Sequence, residues 1–301
     1  MTSALERDEA VATRVTRRTP THSGRGARIG RLVGTIAMVL CAALTAVPLL
    51  LLAANALKTN AQIVSNPIAP PVVPQLGNFS DAWQGGAFGD PLSVSFANSV
   101  IVTVLTTIVV TVLAALAGYA LGTIRFRGEG LVTQTVLVLL AIPVQATLIP
   151  IFDQLGNWGL RNTYLGIVLV YVAFWMPFSI LLMRAAFRGF PVELLEAARV
   201  DGAGEARVLR AVVLPILKGP IAGVAIVNAI GIWSELLFSY VLLTDPSMRT
   251  LPAAVIAFQG VFTTDYRLLY AGLLISVLPV LIFYGALSRL IRKGVSAGSF
   301  R

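Results

Sequence analysis

The chain has 301 residues, 56% hydrophobic and 12% charged, with a formal net charge of +9 and a mean hydropathy of +0.82. A soluble globular domain carries about 25% charged residues, so the composition points to lipid as the main solvent. One cysteine, Cys41, excludes a disulfide framework within the chain, and one histidine, His22, leaves no basis for His-dependent catalysis or a His-rich metal site.

In chain order, residues 1–30 read as a disordered basic cytoplasmic tail, suited to anionic lipid headgroups. A hydrocarbon core needs about 20 apolar residues of helix, and 31–57, built on the uncharged run 32–57, is the first expected span. Ala54-Asn55-Ala56 imitates a signal-peptide cleavage site. The apolar run is longer than the roughly 7–15 residues of a signal core, so the helix is expected to be retained. Residues 58–95 read as an extracytoplasmic loop, because Pro67, Pro70, Pro71 and Pro74 break it. Its aromatics Phe79, Trp83 and Phe88 suit interfacial anchoring or contact with an extracytoplasmic partner. A core over 96–293 then holds five further spans, read at 91–124, 130–152, 162–183, 219–244 and 268–288, before a cytoplasmic tail at 294–301. The expected fold is an all-α integral membrane protein with six transmembrane helices.

With six spans both termini share one side. Only Lys58, Arg161, Arg249 and Arg267 then fall on the opposite side, out of 23 Lys and Arg residues. This is the positive-inside asymmetry. It makes both termini cytoplasmic and accounts for the positive charge without nucleic acid.

Several motifs are absent or incidental. The only lysines, Lys58, Lys218 and Lys293, lie in no G-x-x-x-x-G-K-[ST] loop, so the chain has no P-loop equipment for ATP hydrolysis and no enzymatic role is expected. Gly294–Gly298 spells G-x-S-x-G, but no histidine follows to complete a hydrolase triad. Gly118-x-x-x-Gly122 and Gly219-x-x-x-Gly223 allow close helix packing. Glu235 is the one carboxylate inside an expected span, and such residues are functional candidates by default. It is expected either to face a translocation path or to hydrogen-bond within the bundle.

The stretch LEAARVDGAGEARVLRAVVLP, residues 195–215, is unlike its surroundings, with six charges between Glu196 and Arg210. Pro191 suits the first turn of a helix, residues 191–200 are good helix formers, and Gly202 stands where a left-handed C-terminal cap is wanted. A second short helix is expected over 205–213, ended by Leu214-Pro215. Leu194, Ala197, Ala198 and Asp201 share one face of the first helix. An interfacial helix resting on lipid would carry a purely basic polar face, whereas Glu193, Glu196, Asp201 and Glu205 are mixed with the bases here. The small Ala197-Ala198 pair lets another protein approach closely, and Glu196 can pair with a cation on it. Docking to a protein is the better reading.

Glu196-Ala197-Ala198-x-x-x-Gly202, followed after nine residues by Val212-x-Leu214-Pro215, resembles the EAA loop of bacterial ABC-importer permeases. The wider pattern over roughly residues 30–293 is similar to the MalG-type carbohydrate permeases. It includes Phe96-Ala-Asn98-Ser99, Tyr119-Ala-Leu, Ile142-Pro143, Ile149-Pro150 and Pro191-x-Glu193-Leu194-x-Glu196-Ala-Ala-x-x-Asp201-Gly202-Ala203. Trp233-Ser234-Glu235 stands where the family has Trp-Asn-Glu, Val212 replaces the family's Ile, and the C-terminal GVSAGSFR lacks its basic, Gly-rich ending.

The resemblance implies a type I ABC-importer permease fold in the bacterial inner membrane, with a coupling loop at 191–215. It implies a second homologous permease, two ATP-binding cassette subunits and an extracytoplasmic solute-binding protein as partners, and a sugar as solute. ATP and magnesium belong to the ATPase, and the chain itself needs no cofactor. Glu193, Glu196, Ala197, Ala198, Asp201, Gly202, Leu214 and Pro215 become the ATPase-coupling residues. Trp233, Ser234, Glu235 and Asn98 become candidates for the translocation path. A permease for a polyamine or peptide, and an ATP-independent secondary carrier, are the competing expectations.

Overall fold

The computed structural model describes residues 25–86, 91–260 and 264–298, in two compact units, Met1–Leu51 and Leu52–Arg301. The expected 1–30 tail, Phe88 and the last three residues lie largely or wholly outside the described residues. The described chain is mostly helical, with one isolated antiparallel bridge, Gln259 to Thr264, as its β-structure.

The first unit consists of most of helix α1, Arg25–Ala56, whose apolar side chains are exposed, Leu44 at 74%. Exposed apolar surface of this extent, along a helix that is uncharged after Arg31, needs lipid or protein around it.

The second unit opens with a segment held by side-chain hydrogen bonds. The Lys58 ammonium, buried, donates to Asn55 Oδ1 (2.9 Å) and to the carbonyls of Asn66 (3.2 Å) and Pro67 (3.3 Å). Short helices α2, Asn60–Ser65, and α3, Gly77–Trp83, follow. Thr59 and Gln62 form a reciprocal capping box at the start of α2. Asn78 Nδ2 on α3 reaches back to the carbonyls of Ala56 and Lys58, each at 2.9 Å.

The central pair is α4, Leu92–Thr123, and α7, Tyr164–Arg188. Gly118 and Gly122 make their closeness possible. A Cβ on Gly118 would lie 2.5 Å from Met183 Cβ, and one on Gly122 would lie 2.7 Å from Phe187 Cβ. This small-x-x-x-small pattern therefore serves contact within the chain. The other, at Gly219 and Gly223, has nothing within 4 Å of either position. Gly118→Val is expected to lower the stability of the purified subunit by about 1–3 kcal/mol, the usual range for overpacking. Gly223→Ala should not lower it, and thermal unfolding in detergent measures both.

Between α4 and α7 the expected single span over 130–152 is broken. Helix α5, Glu129–Leu140, stops before Pro143, a 3-10 turn covers Val144–Thr147, and α6, Leu148–Asn157, resumes at a bend of 87°. Pro143 has no N–H to donate and its ring clashes with the carbonyl four residues back. Pro150, as the third residue of α6, replaces an N–H that would have no helical partner anyway, so it breaks nothing.

After α7, helix α8 covers Val192–Val200, and α9, Glu205–Val208, leads through a π turn, Leu209–Val213, into α10, Leu214–Ile216. Helix α11, Lys218–Trp233, leaves at 78° to that segment. The expected span 219–244 is interrupted after Trp233 and continues as α12, Leu237–Leu242, then α13, Leu251–Val255, and the long α14, Tyr266–Gly298. Because α14 runs on through Gly298, the G-x-S-x-G stretch is helical and not a strand–turn–helix elbow. Among the described residues, four helices are long and apolar enough to cross a membrane, or up to six if each bent pair is one span.

Candidate functional site

Helix α8 is amphipathic in a way that fixes one face and frees the other. Leu195 is buried in a cluster with Ala115, Met183, Phe187, Phe190, Val208 and Val213, and Ala198 packs against that cluster. Glu193, Leu194, Glu196 and Ala197 are exposed. The expected docking face is thus divided. Ala198 turns inward and anchors α8, while Glu196 and Ala197 remain available.

The end of α8 is a complete Schellman motif. Gly202 N–H donates to the Arg199 carbonyl and Ala203 N–H to the Ala198 carbonyl, each at 3.0 Å, with Gly202 at φ +80°. No heavy atom beyond its neighbours lies within 4 Å of a Cβ built at Gly202, so the glycine answers a backbone requirement and not a crowding one.

Leu214 and Pro215, expected to end the second short helix, instead continue it. Pro215 cannot donate to the Ala211 carbonyl, and the π turn just before it is the wider winding that absorbs the missing bond. The sharp change of direction comes at Leu217, where ψ rises to 10°.

Glu205 ties this segment together. It accepts from Arg199 Nε (2.9 Å) on α8 and from the Tyr119 hydroxyl on α4. The Tyr119 hydroxyl, and then the Arg199 guanidinium, hold the Glu205 carboxyl below its ordinary range, against the opposing effect of partial burial. Nearby, Glu129 pairs with both Arg184 and Arg188 at 2.9 Å. A cleft of about 640 Å³ separates α8 from the 123–129 turn, with Arg125, Arg188, Arg199, Glu129 and Glu196 on its walls.

The residues expected on a translocation path divide sharply. Trp233 is buried, donates its indole N–H to the Ser276 carbonyl (3.0 Å) and packs edge-on against Phe96 and Phe283. Asn98 is buried too. Its Nδ2 donates to the carbonyls of Ser247 (2.8 Å) and Arg249 (3.0 Å), and its Oδ1 accepts from the Tyr164 hydroxyl (2.7 Å). The side-chain donors of both brace the chain. Ser234 is exposed at the end of α11.

Glu235 occupies the break between α11 and α12. It accepts from the Tyr171 hydroxyl (2.5 Å), Phe238 N–H (3.0 Å) and Ser239 N–H (3.3 Å). The two readings of this carboxylate are therefore not exclusive, because it also borders a cavity of about 360 Å³ with Gln145, Phe174, Trp175, Phe178 and Phe238.

A family model described as the inner membrane component of binding-protein-dependent transport systems matches residues 114–297. The chain belongs to that family. The matched range contains α8, the Schellman turn, Glu205 and the Glu235 break.

The diacetylchitobiose uptake system permease protein of Streptomyces coelicolor is 35% identical over 266 residues, covering 88% of this chain and 87% of that protein. The melibiose/raffinose/stachyose import permease protein of Bacillus subtilis is 28% identical over 266 residues, covering 88% and 94%. A crystal structure of a bacterial ABC transporter that imports the acidic polysaccharide alginate matches with a TM-score of 0.74 and 22% identity, over 88% of this chain and 98% of the other. That likeness is one of fold, and the fold is the type I ABC-importer permease. The chain is thus an inner-membrane permease of the ABC-importer class, as its resemblance to the carbohydrate permeases implied.

Two groups of residues escaped the sequence reading. Tyr119, Arg199 and Glu205 meet only once α4 is folded beside the charged segment, and no spacing announces that. Phe174, Trp175 and Phe178 did leave a signal. Tryptophan in a membrane protein favours the interfaces, whereas Trp175 lies halfway along α7.

Proposed function

We propose that this chain is the permease subunit of an ATP-driven importer, carrying a sugar or oligosaccharide across the bacterial inner membrane by alternating access. A second homologous permease stands beside it, an extracytoplasmic binding protein delivers the solute, and two ATPase subunits supply the work. The Lys and Arg distribution supports cytoplasmic termini. The names of the relatives described above support a saccharide as solute.

The observation that carries this reading is α8. Its exposed Glu196-Ala197 edge is backed by Leu195 locked among side chains of α4 and α7. A displacement of α8 by a docked ATPase would pass directly to α7 through Met183 and Phe187. It would pass to α4 through the Arg199–Glu205–Tyr119 chain, and to α11 through the 205–216 segment. Glu193, Glu196, Ala197 and Asp201 form the docking edge in this account. Ala198 and Gly202 hold its shape, and Leu214 and Pro215 carry the motion onward.

Uptake of radiolabelled saccharides by the reconstituted complex is expected to require ATP and the binding protein. Uphill transport by the chain alone on an ion gradient would overturn the reading. Glu196→Lys reverses the charge on the exposed edge and is expected to weaken co-purification with the ATPase by roughly tenfold or more, as misplaced like charges do at interfaces. Unchanged co-purification would count against the docking role.

A further inference from the structure

The cavity beside Glu235 has the features of a solute site. Phe174, Trp175 and Phe178 come from adjacent turns of α7, near the middle of a 25-residue helix. Gln145 reaches the same cavity from the break after Pro143. Secondary transporters place their solute sites at broken spans, and two interruptions of this fold, at 141–147 and at 234–236, border the cavity. Its volume of about 360 Å³ lies within the range of small-molecule sites.

The lining is chemically selective. The Trp175 ring is held edge-on by Tyr171 at 5.5 Å between centroids and is wedged against α11, where a Cβ on Gly231 would come within 2.7 Å of its Nε1. Phe174 is braced by Phe238 at 4.9 Å. These are fixed aromatic faces. The Gln145 side chain is exposed and makes no hydrogen bond among the described residues, so its amide donors and acceptor are free. A carboxylate has about four acceptor positions, and Glu235 uses three of them on Tyr171, Phe238 and Ser239, leaving one.

A pyranose ring fits this combination, since its C–H face packs on aromatic rings while its hydroxyls both donate and accept at the rim. A polyamine fits poorly. The charge of Glu235 is already shared among three donors, and no second acid borders the cavity. We propose that Phe174, Trp175 and Phe178, with Gln145 and Glu235, form a subsite in this subunit for one sugar ring of the solute. The proposal rests on the saccharide reading above and adds to it that this chain, and not its partner permease alone, touches the cargo.

The test uses the complete complex in vesicles with radiolabelled diacetylchitobiose, melibiose, raffinose and stachyose. Trp175→Ala is expected to reduce uptake of the best-carried sugar by about tenfold or more, and Trp175→Phe to retain most of it, because a ring face remains. Gln145→Ala removes an exposed side chain with no structural partner. It is expected to change the order of preference among the four sugars while the complex assembles as the wild type does. Trp175→Ala and Gln145→Ala complexes that assemble normally and keep both the rate and the preference of the wild type would overturn the subsite while leaving the saccharide reading intact. Wild-type uptake of spermidine with none of the sugars would overturn both.

Discussion

Gly202→Val is expected to reduce ATP-driven uptake by about tenfold or more while leaving membrane insertion and the α4–α7 core unchanged. At φ +80° a side chain costs about 1–2 kcal/mol in a left-handed backbone, more for a branched one, and tenfold corresponds to about 1.4 kcal/mol. The strain falls on the two 3.0 Å bonds that close α8, so the angle between α8 and the 205–216 segment is what relaxes. The built Cβ meets nothing, which makes the effect conformational. Gly202→Asn is therefore the informative partner, since asparagine tolerates this backbone. Asparagine should restore most of the uptake. Equal loss with both residues would mean that the partner protein needs the space, and normal uptake with valine would remove Gly202 from coupling altogether.

Much of this segment was legible in the residues because its rules are local. Pro191 at a helix start, a run of good helix formers and a glycine at the C-terminal cap are each set by a few neighbouring dihedrals. The six-residue charge cluster could not be read as lipid-facing, and the EAA-like spacing added a family to a shape already drawn. Which way α8 faces was less legible. Leu194 and Leu195 are equally apolar on paper, and only the pocket formed by Met183, Phe187 and Val213 selects Leu195. That choice rotates Ala198 inward and leaves Ala197 out.

The spans were legible as apolar runs, but their continuity was not. Composition counts residues along the chain and is blind to a bend of 87° at Pro143, because Pro48, Pro177 and Pro279 lie inside helices that continue. The bracing roles of Asn98 and Trp233 were illegible for a related reason. A polar or aromatic group in a greasy helix signals that it has a task, and here the task is to brace the 244–250 segment and α14. The aromatic trio of α7 was passed over as part of an apolar span, although a tryptophan halfway along that span, away from the interfaces it favours, was a legible signal.

Glu235→Ala is expected to produce the largest loss of stability among single changes in the bundle. It would leave the Tyr171 hydroxyl and the Phe238 and Ser239 N–H groups without their acceptor, and a buried donor left unsatisfied costs about 1–3 kcal/mol. Tyr171 and Ser239 are fully buried, so water cannot easily replace the carboxylate at those two. Glu235→Gln keeps one acceptor oxygen but turns an NH₂ toward at least one donor, so it should fall between alanine and wild type. Thermal unfolding of the detergent-purified subunit reads the order. Tyr171→Phe gives a second handle. Made alone it removes one of the three bonds, but made on the Glu235→Ala background it also removes an orphaned hydroxyl, and its effect should shrink or change sign. Additive effects of the two changes would mean that the 2.5 Å bond contributes nothing to the joint between α7 and α12. A wild-type unfolding midpoint for Glu235→Ala would mean that the break after Trp233 is held by packing alone.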